Sequence, residues 1–125
     1  GLRKLHSLPV SECPFEWGVA SRMRVADANG RHLPDALRRS PSIDRLVVCH
    51  GDACAPNTLL DDGGFVANVD FGRLGLADRW ADLAVATMSL GWNYEAFDER
   101  IFWEAYGVEP DAERIDYYRA LWNAT

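Results

Sequence analysis

The sequence predicts a mixed α+β domain, and three observations carry that expectation. Short β-branched or apolar runs occupy the middle of the chain, at residues 45–49, 58–60 and 65–69. An Asp-Gly pair separates the last two runs, a strong hairpin signal because glycine readily takes the positive φ of a tight turn. From Asp78 onward the apolar residues recur at intervals of three and four, the period of helices. The sum is a small β-hairpin unit followed by a helical layer, within one domain of 125 residues.

Each element has its own local reason. Residues 2–8 read as a helix ended by Pro9, and residues 9–14 as a connector. A weaker helical pattern runs from Phe15 to about Asp27 and stops at Asn29-Gly30. Residues 33–39 suit a short helix before Ser40-Pro41, and residues 45–49 (RLVVC) suit a buried strand. Asp61-Asp62-Gly63-Gly64 joins the two hairpin strands.

Asp78 is well placed to cap a helix that carries Trp80, Leu83, Ala84, Thr87, Met88 and Gly91. A second helix places Phe97, Ile101, Ala105 and Tyr106 on one stripe and stops at Gly107. A third opens at Pro110-Asp111 and aligns Ile115, Tyr118, Leu121 and Trp122.

Composition narrows the function classes. A net charge of −6 argues against nucleic acid or an anionic membrane as partner and is compatible with a cationic small molecule. No apolar run approaches the ~18 residues of a membrane-spanning helix. The opening GLRKLHSLPV lacks the apolar core of a signal peptide and reads as the last turns of a helix, as though the chain begins in mid-structure. Cys13, Cys49 and Cys54 form no CxxC pair, so a zinc site or disulfide framework is not expected and a reducing cytoplasm fits best.

The residues that promise chemistry lie around VCHGDACAPN, residues 48–57. Centring the hairpin turn on Asp62-Gly63 puts Asn57 opposite Asn68, and Asp70 follows on the same face as Asn68. Asn57 and Asp70 then meet at one end of the hairpin, beside the loop that holds Asp52. Such hard oxygen ligands suit Mg²⁺, with Asn57 and Asp70 holding the ion and Asp52 left to receive or orient a hydroxyl proton. This is the division of labour of phosphoryl transfer. His50 is read as an organiser of the loop in preference to an acid–base group.

The order H-x-D-x-x-x-x-N followed by D-F-G, here His50-Gly51-Asp52 through Asn57 and then Asp70-Phe71-Gly72, matches the signature of kinase-fold phosphotransferases. With Gly51 in second place, it resembles the aminoglycoside phosphotransferases, of the kind that modify a 3′ or 3″ hydroxyl of kanamycin- or streptomycin-type antibiotics. VDFGRLGLADRWADLA, residues 69–84, is similar to that family's second motif, and LHSLPVSECPF, residues 5–15, to a segment ahead of its catalytic loop.

The resemblance implies the C-terminal lobe of the protein-kinase-like fold, Mg²⁺, and ATP or GTP as phosphoryl donor. It implies Asp52 as catalytic residue, Asn57 and Asp70 as metal ligands, and Arg73 as a nearby charge partner. Asp82 would hydrogen-bond the catalytic loop from beneath; a first-turn helix carboxylate facing the dipole is the other account of it. Glu95, Asp98, Glu99 and Asp116 are candidates to bind the drug's ammonium groups, and nothing in the pattern selects among them.

No Gly-rich phosphate loop precedes Asp52, and Lys4 is the only lysine. The expectation is therefore a catalytic and substrate lobe without its nucleotide-binding lobe, inactive or weak alone, with self-association possible through the uncovered surface. The segment between Phe15 and Arg45 is also shorter than in full-length relatives. Two alternatives stand beside an antibiotic-resistance enzyme: a non-catalytic binding module, and another small-molecule kinase of the same fold, of choline or homoserine type.

Overall fold

Val47, Val48 and Cys49 are buried while Leu46 is exposed, so the run predicted from β-branched residues does enter the core. The computed structural model describes all of residues 1–125. Strand β1 (Leu46–Cys49) pairs antiparallel with β4 (Gly75–Asp78), Leu46 opposite Asp78 and Cys49 opposite Gly75. A second two-stranded sheet is the hairpin of β2 (Thr58–Asp61) and β3 (Gly64–Asn68). Around these lie five helices: α1 (Leu2–His6), α2 (Val19–Ala28), α3 (Trp80–Asn93), α4 (Glu99–Tyr106) and α5 (Ala112–Ala124). The α+β expectation holds, mostly helical with a small hairpin.

The hairpin turns at Asp62 and Gly63, both at positive φ (48° and 74°). Near the turn, Asp61 faces Gly64 and Leu60 faces Phe65, the expected register. A bulge between Leu59 and Leu60 then shifts the pairing by one, so Thr58 faces Asn68. Asn57 consequently lies beside Val69, whose N–H donates to the Asn57 carbonyl at 2.9 Å. The shift moves the amide one place nearer Asp70 than a regular hairpin would.

Strand β4 was not expected from the sequence. GLAD is short and contains a glycine, so strand propensity alone gives it no weight. It forms because β1 supplies one edge and the segment Phe15–Trp17 supplies the other. Leu76 donates its N–H to the Phe15 carbonyl at 2.9 Å and accepts from Trp17 N–H at 3.1 Å. Gly75 permits that approach, since a Cβ there would meet Trp17 N at 2.8 Å and Glu16 C at 2.9 Å. Residues 15–18 are thereby extended, and the helix expected from Phe15 begins only at Val19.

Asp78 closes β4, and the position flanking α3 is Arg79. The Asp78 carboxylate accepts Trp80 N–H at 3.3 Å and Asp44 N–H at 3.0 Å, so it serves the first turn of α3 from one residue further back than expected. Helix α3 is buried on every side from Trp80 to Thr87. It packs against α5, where Ile115, Tyr118 and Leu121 face inward; Trp122 is only half-buried.

Helix α4 differs from expectation in its inward face. Ile101 is 66% exposed, whereas Trp103 is buried against Trp80. The predicted stripe ignored tryptophan's larger apolar surface, which decides which side of a one-layer helix is covered. Helix α4 ends at Gly107 (φ 89°), as expected, and α5 is capped by Asp111, whose carboxylate accepts Arg114 N–H.

No helix is long and apolar enough to cross a membrane. Leu60, Phe65, Val66 and Phe71 stand exposed on and beside the hairpin.

Truncating Leu83, which is fully buried, should lower unfolding stability by about 2–5 kcal/mol. Ile101→Ala should stay within about 0.5 kcal/mol of the parent. Urea denaturation of both variants checks the buried place of Leu83 on α3 and the outward place of Ile101 on α4.

Candidate active site

The loop that carries Asp52 leaves β1 at His50 and immediately meets α3. Asp82, in the first turn of α3, is completely buried and accepts three N–H groups. His50 N–H donates to Oδ2 at 2.6 Å, Gly51 N–H donates to Oδ1 at 3.0 Å, and the His6 ring donates from Nε2 to Oδ2 at 2.9 Å. The other His6 nitrogen, Nδ1, accepts from the Tyr106 hydroxyl at 2.8 Å. Helices α1 and α4 are thus tied through one carboxylate to the loop. A carboxylate buried this deeply needs its oxygens hydrogen-bonded, and both oxygens of Asp82 are.

Gly51 follows at φ 84°, where a Cβ would run into the Arg73 backbone carbonyl. Only glycine lets the loop touch the segment after Asp70 this closely. His50 makes a second link between the same two segments. Its Nδ1 accepts Asp52 N–H at 3.2 Å and its Nε2–H donates to the Val69 carbonyl at 2.8 Å. Those partners require the neutral Nε2–H tautomer, with both nitrogens engaged. The ring also packs on Phe71, centroids 4.7 Å apart.

These links bring Asp52, Asp70, Gly72 and Arg73 around one cleft of about 320 Å³. Asp52 is half-buried; its Oδ1 accepts the Cys54 thiol at 3.1 Å, and Oδ2 has no protein donor. The Asn57 amide donates to the Asp52 carbonyl at 2.9 Å, which leaves its Oδ1 without a protein partner. Asp70 is exposed, sits at φ 64°, and its carboxylate accepts from no protein group. One amide oxygen and one carboxylate, both unclaimed, fit the few hard protein oxygens that Mg²⁺ takes beside waters and phosphates. Arg73 projects from the same cleft with its guanidinium against the Trp17 ring, 5.8 Å from the centroid. Arg22 lies against the same ring at 5.6 Å; burial, and then the Arg73 charge, lowers its pKa to about 10.

Three side chains escaped the sequence analysis. His6 was read only as part of a helix turn, and its burial is set by Asp82, seventy-six residues away. Ser89 accepts Ala55 N–H at 2.9 Å, so α3 grips the loop at two points. The spacing of Asp82 and Ser89, two turns apart on one helix, was the available signal. Cys54 is held protonated by burial and by the adjacent Asp52 carboxylate, its pKa pushed up to about 11.

The acidic drug-site candidates divide. Glu99 pairs with Arg119 at 3.1 Å, and Asp98 caps α4 and pairs with Arg100. Glu95 and Asp116 are exposed and pair with no basic side chain. His6, Cys49 and Asp82 cluster within 4.8 Å, but their donor atoms are already occupied by one another, by the loop amides and by the Asp78 carbonyl.

Residues 1–118 match the phosphotransferase enzyme family, APH. The chain belongs to that family. It is 36% identical to a streptomycin 3″-kinase of Streptomyces griseus, over 96% of this chain and 56% of the relative. It is 37% identical to an aminoglycoside 3′-phosphotransferase of Streptomyces fradiae, over 95% of this chain and 54% of the relative.

Among solved structures, an aminoglycoside 3′-phosphotransferase of type VIII aligns with a TM-score of 0.78 at 27% identity, over 99% of this chain and 57% of the other. An aminoglycoside phosphotransferase of Streptomyces rimosus, solved with ADP and streptomycin, aligns at 0.73 and 31%, over 96% and 57%. The kinase-like fold expected from the motif is therefore shown. The chain spans about half the length of the curated relatives it matches. The griseus alignment extends over 155 positions against a 125-residue chain, so the relative also carries residues within the matched span that this chain lacks.

Gly51→Ala combines positive φ with a backbone collision and should cost more than about 2 kcal/mol. Gly30→Ala, also at positive φ (70°) but in open space, should cost about 1 kcal/mol. Denaturation midpoints of the two variants separate collision from φ strain.

Proposed function

We propose that this chain is the catalytic and substrate-binding lobe of an aminoglycoside O-phosphotransferase, transferring the γ-phosphoryl group of ATP or GTP to a sugar hydroxyl. The single observation that carries the proposal is the cleft shared by Asp52, Asp70 and Arg73, with Asn57 Oδ1 and Asp70 left free of protein donors. The family membership, with a streptomycin 3″-kinase and an aminoglycoside 3′-phosphotransferase among the relatives, supports the substrate class.

In this account Asp52 Oδ2 faces the substrate hydroxyl and accepts its proton as the oxygen bonds to the γ-phosphorus. The bond from that phosphorus to the bridging oxygen breaks, and the nucleoside diphosphate leaves. Asn57 and Asp70 hold Mg²⁺, which when bound supplies positive charge to the phosphate oxygens. Arg73 adds positive charge on the cleft wall, while His50 and Asp82 keep Asp52 and Asp70 in register. There is little covalent chemistry for the protein to perform, so positioning and electrostatics carry the rate. The acidic balance of the chain suits an ammonium-rich substrate, and of the four candidate acids Glu95 and Asp116 have no basic partner. Three free cysteines suit a cytoplasmic enzyme.

The test is nucleoside-diphosphate release and ³¹P detection of phosphorylated streptomycin or kanamycin, with MgATP and MgGTP. Drug-dependent turnover is expected to be weak or absent in the chain alone and to appear when a relative's nucleotide-binding lobe is supplied, and there Asp52→Asn should reduce kcat by about 10²–10⁴-fold. Turnover unchanged by that substitution would overturn the role of Asp52. Turnover on choline or homoserine but on no aminoglycoside would move the protein to a different substrate class.

A further inference from the structure

Asp52 is supported on one side by the His50 and Gly51 amides, which Asp82 holds. The other side of its loop has a support that no motif describes. Ser89, buried on α3, accepts Ala55 N–H at 2.9 Å. Ser89 is itself fixed by Asn93, whose side-chain amide donates to the Ser89 carbonyl at 2.7 Å and to its hydroxyl at 3.3 Å. The residue before Ala55 is Cys54, and its thiol reaches Asp52 Oδ1 at 3.1 Å. An unbroken path therefore runs from Asn93 through Ser89 and the Cys54-Ala55 turn to one oxygen of the Asp52 carboxylate.

The two oxygens of Asp52 are not equivalent as a result. A carboxylate rotating freely about its last bond would offer either oxygen to a hydroxyl. With Oδ1 held by a donor the rotation is fixed, and Oδ2 is the oxygen with no protein donor. We propose that Cys54, seated by Ser89, is a positioning residue that fixes the Asp52 carboxylate so that Oδ2 alone faces the substrate hydroxyl. The Cys54 thiol is the one side-chain donor within reach of Oδ1, and none reaches Oδ2. The role rests on Asp52 being the residue that aligns the hydroxyl.

The role asks for a donor at position 54, and serine satisfies it as well as cysteine does. It also asks that the Cys54-Ala55 turn be held independently of the Asp82 end. Both demands are testable without relying on activity alone.

The experiment uses the whole chain, ¹⁵N- and ¹³C-labelled, with Ser89→Ala, Ser89→Thr, Cys54→Ala, Cys54→Ser and, as control, Cys13→Ala. In Ser89→Ala the Ala55 amide should exchange with solvent about tenfold faster, the worth of one hydrogen bond, while the His50 and Gly51 amides keep their rates. Ser89→Thr should restore protection. The Asp52 carboxyl ¹³C resonance at fixed pH should move in Cys54→Ala and stay in place in Cys13→Ala.

In the phosphorylation assay, Cys54→Ala should lower kcat by about 3- to 30-fold with KM for the drug within about twofold, and Cys54→Ser should recover it. An Ala55 amide indifferent to Ser89→Ala, an Asp52 resonance unmoved by Cys54→Ala, or a Cys54→Ala enzyme of full kcat each overturns the proposal. If the chain gives no turnover on any amine or alcohol even with a relative's nucleotide-binding lobe supplied, it is the assignment of activity that fails, and the two resonance measurements still decide the support of Asp52.

Discussion

A carboxylate with no solvent contact is the constraint on which the site depends. Asp82 has zero exposure and three N–H donors, two of them consecutive backbone amides of the loop that carries Asp52. An ionised group in that position would be prohibitively costly if any large part of its shell were missing. The requirement runs in both directions. The loop cannot leave without stranding a buried charge, and α3 cannot shift without dragging the loop. His6 completes the shell and makes α1 and, through Tyr106, α4 parties to the same constraint. Each hydrogen bond to a charged group contributes about 1.5–3 kcal/mol, so the shell as a unit outweighs any single packing contact.

From that fixed point the two acid-bearing segments are locked to each other. Gly51 allows backbone contact with Arg73, and the His50 ring spans from Asp52 N–H to the Val69 carbonyl, the residue before Asp70. The hairpin closes the circuit, since Val69 N–H also binds the Asn57 carbonyl. Asp52, Asn57 and Asp70 are therefore positioned by main-chain hydrogen bonds more than by side-chain packing. That explains how a half-buried Asp52 and an exposed Asp70 on short loops can hold a defined geometry beside the cleft. Asp70, at positive φ, is held in place by this circuit and not by its own conformational preference.

Much of this was legible in the sequence, and the failures share a cause. The hairpin, the glycine stop of α4, the cap of α5 and the spacing of the loop acids follow from local rules, and the motif carried the family and the fold. What escaped depends on partners distant in the chain. GLAD becomes a strand because β1 and residues 15–17 flank it, and Phe15–Gly18 is extended for the same reason. Ile101 fits a helical stripe but loses the inward face to Trp103, because Trp80 lies opposite. The one-residue bulge in the hairpin could not be read from DDGG, although it sets where Asn57 meets Val69. Within the site, His50 as a loop organiser required only its neighbours. His6 and Ser89 required knowing what α3 would touch.

The most direct measurement of the central claim is the amide ¹H spectrum of the loop. A 2.6 Å bond from the His50 N–H to a buried carboxylate should place that proton far downfield, with Gly51 shifted less. Asp82→Asn should return both toward ordinary loop positions while α5 resonances stay in place. A His50 amide at an ordinary position in the parent protein, or one unmoved by Asp82→Asn, would contradict a loop held by Asp82.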